Sequence, residues 1–97
     1  MARSGLKFFS DIFTMKVTFH RHALERLAER GATEEEVRLT VEEGERIQAK
    51  YGRVGFRRNF SHGGDWRGKH YETKQVEAYV DDIEGAWLVV TVITKFF

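Results

Sequence analysis

Apolar residues recur along this chain with two different periods, and the change between them divides the sequence. The stretch Lys16-Val17-Thr18-Phe19 has the form of a short first strand. From His22 to Arg30 the residues are strong helix formers without Gly or Pro, and Leu24, Leu27 and Ala28 fall on one side at helical spacing. A first helix with those three on its core face is therefore predicted, ending at Gly31. Thr33-Glu34-Glu35-Glu36 then has the S/T-x-x-E form of a capping box, with acids in the first turn where the helix dipole favours them. It predicts a second helix over Glu34–Glu43, closed by Gly44, with Val37 and Val41 buried four residues apart. The two helices are expected to form a tight hairpin.

Beyond Gly44 the period falls to two. Ile47, Ala49 and Tyr51 alternate with polar neighbours, as do Val54, Phe56 and Arg58, with bends expected at Gly52 or Gly55. Ser61 to Gly68 reads as a glycine-rich turn, followed by a strand carrying Val76, Ala78 and Val80 and a reversal from Asp81 to Gly85. The closing run, Ala86 to Phe97, is apolar on both faces and belongs in the middle of a sheet. The expected fold is α+β: two N-terminal helices, after a short first strand, packed on one face of a twisted antiparallel sheet. Residues 16–97 form the single domain, and residues 1–15 an N-terminal extension whose Leu6, Phe9 and Phe13 suit a short packing or dimerising helix.

Composition narrows the class. The 97 residues fit one domain, and a 41% hydrophobic fraction with thirteen aromatics supplies a core that needs no metal or disulfide. The absence of cysteine excludes disulfides, thiolate catalysis and cysteine-type metal sites. Lys7 and Asp11 interrupt the N-terminal apolar stretch, which does not resemble a signal peptide, and no apolar run approaches the roughly 20 residues of a membrane span. A cytoplasmic, non-membrane protein is expected. The net charge of +1 conceals an asymmetry, because residues 50–74 carry seven basic side chains against two acidic ones, a local net of +5.

Candidate chemistry lies in two places. His22, Arg26 and Arg30 recur every four residues and form one polar ridge on the first helix. Two arginines at this spacing repel, so the ridge either holds an anion such as phosphate or is neutralised by Glu25 and Glu29 as an ordinary solvated face. Histidine supplies a proton donor and acceptor near neutral pH. The second place is the basic segment. There Lys50, Arg53, Arg57, Arg58, Arg67 and Lys69 interleave with Trp66, His70 and other aromatics, the combination that binds single-stranded RNA. The alternatives are a solubilising hairpin whose aromatics simply pack, or a basic face for an acidic partner protein. His20 and His22 form a His-x-His pair, but no supporting ligand stands at metal-site spacing, so no metal is assigned.

The run His22-Ala23-Leu24-Glu25-Arg26-Leu27-Ala28-Glu29-Arg30-Gly31, followed by Thr33-Glu34-Glu35-Glu36-Val37, resembles the signature of a bacterial family of uncharacterised small domains related to the BrnT and RelE toxins. There His-Ala, an Arg, an Arg-Gly and a capped second helix follow in order, and the last strand carries Thr before an aromatic. Val92-Ile93-Thr94-Lys95-Phe96 is similar. The chain departs in having Ala32 where Ile or Val is usual, in its basic insertion, and in its leader. The resemblance implies a toxin-like, metal-independent endoribonuclease of RelE/BrnT-like fold that needs no cofactor. His22 would be the acid or base, Arg26 and Arg30 would hold the phosphate, and Thr94 would orient it. It also implies a separate antitoxin protein. The alternative is a non-catalytic module that binds RNA or such a partner. A third reading is a structural homodimer through Phe96, Phe97 and the leader.

Overall fold

In the computed structural model, residues 15–97 are described, so the expectations for Leu6, Phe9, Phe13 and the leader lie outside the described residues. The chain runs through strand β1 (Lys16–Phe19), short helices α1 (Arg21–Glu25) and α2 (Leu27–Arg30), helix α3 (Glu34–Glu43), and strand β2 (Glu45–Gln48). A 3-10 turn (Lys50–Gly52) then leads to β3 (Val54–Trp66), β4 (Lys69–Ile83) and β5 (Ala86–Phe96). The fold is α+β, with a five-stranded sheet in the order β1-β5-β4-β3-β2.

The sheet is mixed, where an antiparallel one was expected. β1 lies parallel to β5, from Lys16 beside Ala86 to Phe19 beside Val89, whereas all other neighbours are antiparallel. β5 is thereby flanked by a strand on each edge, β1 and β4, which gives it the interior place in the sheet expected of it. The glycine-rich turn is also shorter than the sequence suggests. β3 continues to Trp66, the register shift between Ser61 and Gly64 absorbs the glycines as a bulge, and only Arg67-Gly68 remain as the turn. Both have positive φ, the form of two-residue turn that suits the twist of a hairpin. Glu84-Gly85 does the same between β4 and β5.

The expected single first helix is broken at Arg26, whose φ of −95° and ψ of −3° reset the helical phase. Ala23 and Leu27 are consequently the buried pair, while Leu24 and Ala28 face solvent. Helix α3 follows the sequence closely. Thr33 accepts from the Glu36 amide at 3.1 Å, Glu36 accepts from the Thr33 amide at 3.0 Å, and Val37 and Val41 are buried. The two helical segments do not form a hairpin, because each packs on the sheet: α1 and α2 on β5, α3 on β3 and β4. Between them and the sheet lies the core of Val17, Leu27, Val37, Phe56, Val76, Val80, Val89 and their neighbours.

The corner between α2 and α3 is tied to the sheet by one side chain. Lys74 of β4, almost fully buried, donates to the Gly31 carbonyl and to Glu36 Oε1, both at 2.8 Å. Gly31 has φ of 74°, and a β-carbon there would lie 2.9 Å from the Trp66 ring, which stacks on Phe96 at 5.1 Å between centroids. Phe96 is thereby turned inward among Trp66, His62 and Tyr71, leaving Phe97 as the exposed member of the closing pair. Lys74→Ala strands a carboxylate and a carbonyl in a desolvated corner. Urea unfolding should show a loss of roughly 3 kcal/mol, with the strand and helix content of the surviving native state unchanged by circular dichroism.

Candidate functional site

The end of β1 and an irregularity in β5 create the main cleft. The His20 amide donates to the Val89 carbonyl at 2.9 Å, which ends the pairing of β1 with β5. His20 then caps α1, its Nδ1 accepting from the His22 amide at 3.1 Å. In β5, Tyr79 pairs with Thr91 but Val80 pairs with Val89, so Val90 is an extra residue that bulges from the strand. The space between this bulge and α1–α2 is a cleft of about 240 Å³ lined by His22, Arg26, Arg30 and residues 90–92.

Three of the four residues singled out on the sequence therefore meet in one place. The break at Arg26 does not scatter them, because α2 resumes immediately and continues along β5. Thr94 does not join them. Its hydroxyl donates to the Arg30 carbonyl, which ties α2 to β5, and it faces a neighbouring recess with Glu29, Trp66 and Arg67. Sequence reasoning did not single out Val90, Thr91 and Val92, since which strand closes a cleft is decided by pairing across the whole sheet.

The electrostatics are unbalanced. Glu25, which the alternative reading had neutralising the ridge, is taken by Arg21 at 3.2 Å and lies 3.9 Å from His22 Nδ1. Among the described residues neither Arg26 nor Arg30 has an ion-pair partner, and Arg30 Nε is buried without any hydrogen bond. His22 is exposed at the rim, its ring stacked on His20 at 5.4 Å. Among the described residues no three His, Cys, Asp or Glu side chains converge as a metal-binding group.

The basic segment is distributed quite differently. Arg53 makes two bonds to Asp81, at 2.7 and 3.3 Å, and Arg57 bonds Glu45 at 2.9 Å. Arg58 lies on the helix side, 3.6 Å from Glu43 and over the Phe60 ring. At the hairpin tip, Arg67 donates to the Glu29 carbonyl at 2.8 Å while covering Trp66, and His70 bonds Glu72 at 2.7 Å with Asp65 at 3.5 Å. Lys69 lies over Tyr71. Lys50, Arg67 and Lys69 are the three of these cations without a carboxylate partner among the described residues. The eight residues occupy both faces of the sheet and the hairpin tip, so they do not form one continuous surface.

The face of the sheet away from the helices carries a second polar cluster. Tyr79 donates to Glu77 Oε1 at 2.7 Å, and Lys95 donates to Glu77 Oε2 at 3.0 Å. Burial by itself pushes the Glu77 carboxyl up, but the bonds from Tyr79 and Lys95, with the charges of Lys95 and Arg57, hold it below its ordinary value. Beside this cluster a cleft of about 390 Å³ opens between the loop at Gln48–Arg53 and the side chains of Tyr79 and Thr91.

With this geometry in view, the chain matches the family described as "Domain of unknown function (DUF4258)" over residues 19–94, and it belongs to that family. The match spans the His22 helix, the capped helix and the sheet through Thr94. No curated protein and no solved structure gives a significant match. No helix among the described residues is long and apolar enough to cross a membrane.

The Glu77 cluster predicts an acid response. Because the folded carboxyl titrates below the unfolded one, its stabilisation is fully present above the ordinary glutamate range, near pH 4.3. It is lost as pH falls from there through the depressed folded value. Glu77→Gln should therefore flatten the dependence of urea-unfolding stability on pH below that range, relative to the wild type.

Proposed function

We propose that the chain is a toxin-like, metal-independent endoribonuclease whose cleft seats an RNA phosphodiester between Arg26 and Arg30, with His22 moving the proton. The observation that carries this reading is the pair of guanidinium groups without carboxylate partners among the described residues, facing one cleft together with a histidine. A guanidinium offers a planar fork of donors that matches phosphate oxygens, and Arg30 Nε has no partner among the described residues. The chemistry is internal transfer. The ribose 2′-oxygen bonds to phosphorus, the 5′-oxygen leaves, and a 2′,3′-cyclic phosphate results. His22 takes the 2′-hydroxyl proton or protonates the leaving oxygen, and the arginines stabilise the charge that builds on the phosphoryl oxygens. Thr94 acts by holding Arg30 through its carbonyl. The resemblance of the His22–Val37 run to the BrnT- and RelE-related domains points the same way, to a cytoplasmic enzyme restrained by a separate antitoxin protein.

A non-catalytic RNA- or antitoxin-binding module is the second reading. It is favoured by the presence of one proton-transfer group rather than two among the described residues that line the cleft.

Purified protein incubated with mixed single-stranded RNA in chelator distinguishes them. The nuclease reading expects cleavage that His22→Ala lowers about 10²-fold or more, as acid–base groups do, without loss of RNA retardation on a native gel. Arg26→Ala should weaken both binding and cleavage. Retardation without cleavage in the wild type would establish the binding module instead, and cleavage undiminished in His22→Ala would remove this histidine from the mechanism.

A further inference from the structure

The phosphate cleft does not end at β5. Thr91, paired with Tyr79 across β4 and β5, is a wall of both the His22–Arg26–Arg30 cleft and the cleft on the open face of the sheet. The two spaces therefore share one lining residue, and the second has a different lining: two tyrosines, a Lys50 without a carboxylate partner among the described residues, and no Asp or Glu among its described residues, the nearby Asp81 being held by Arg53.

Both tyrosines are presented in ways that core packing does not explain. Tyr79 lies against Gly55, where a β-carbon would stand 2.9 Å from its ring, and its hydroxyl is anchored to Glu77. The ring is thus held flat on the sheet by a glycine beneath it and a hydrogen bond at its tip. Tyr51 is the opposite case. It is 98% exposed, yet its backbone occupies the left-handed region at φ 63° and ψ 30°, where a bulky residue is rare. A strained backbone that holds an aromatic ring in solvent stabilises nothing within the fold.

From this continuity we infer that the open-face cleft is a nucleobase subsite, with Tyr51 and Tyr79 as the stacking surfaces for the base attached to the sugar next to the bound phosphate. Lys50 supplies charge for the adjoining phosphate. The ligand class is single-stranded RNA with an unpaired base at that position, because a base stacked in a duplex has no free face to offer. The inference rests on the phosphate reading of the first cleft, and it assigns to the Lys50–Arg53 loop the work of holding the base, which that reading leaves open.

The test uses His22→Ala protein, so that the probe survives, with two fluorescent probes: a single-stranded RNA hexamer and an abasic hexamer with the same phosphates. Adding Tyr51→Ala should weaken hexamer binding on the order of tenfold, the usual effect of losing one base–aromatic stack. It should leave the abasic probe unchanged, and Tyr51→Phe should restore hexamer binding. Adding Arg26→Ala should weaken both probes. If Tyr51→Ala binds the hexamer as tightly as its parent while Arg26→Ala does not, the base subsite is overturned and the phosphate cleft stands. If neither probe binds, or Arg26→Ala binds both normally, the phosphate reading fails and the base subsite fails with it. Since the Tyr51 ring lies in solvent, loss of folding does not complicate the comparison.

Discussion

The ammonium of Lys74 is the point on which the helical layer hangs. Its burial carries a desolvation cost that only well-placed acceptors offset, and two are supplied, one from each side of a chain corner: the Gly31 carbonyl and the Glu36 carboxylate. The same carboxylate also receives the Thr33 amide, so one side chain closes the start of α3 and docks that start on the sheet. Arg30 directly precedes this corner, and Trp66 and Phe96 pack over it. The position of the cleft arginine therefore descends from a contact that the cleft itself does not contain.

Charge counted along the chain and charge arranged in space give different pictures of the basic segment. The seven cations of residues 50–74 draw most of their partners from outside it: Glu36, Glu43, Glu45 and Asp81. Four acids from outside the segment are thus engaged by it. The ridge of α1–α2 is left out of this exchange, because Glu25 turns to Arg21. Positive charge is concentrated where the linear count is unremarkable and dispersed where it is greatest.

What could be read from the sequence follows from how local each feature is. Helix α3 was legible in full, with its cap, its end and its two buried valines, since every interaction that defines it lies within ten residues. So was the grouping of His22, Arg26 and Arg30, which depends on spacing along one segment. The burial of Ala23 in place of Leu24 was not, because a small rotation at Arg26 changes which side of the chain meets β5. The parallel pairing of β1 with β5 joins residues about seventy positions apart, and no local pattern announces it. The glycines at 63 and 64 carried a turn signal that was real but answered by a bulge, since strand pairing on either side was stronger than the tendency to reverse. The walls contributed by residues 90–92 were hidden for the same reason as β1: they depend on which strand lies beside the helices.

The bulge at Val90 divides β5 into two stretches with different obligations. Before it, the strand answers to β1 on one side and β4 on the other; after it, to β4 and to the helices that follow β1. An uninterrupted ladder would exchange the faces of every residue on one side of that point. Thr91 would then meet the core and Val92 the open surface, so a single extra amino acid keeps Thr91 in the lining of both clefts. For this fold, the length of the last strand is a more exacting requirement than the identity of most of its side chains, and insertions or deletions there carry a penalty that substitution tables do not register.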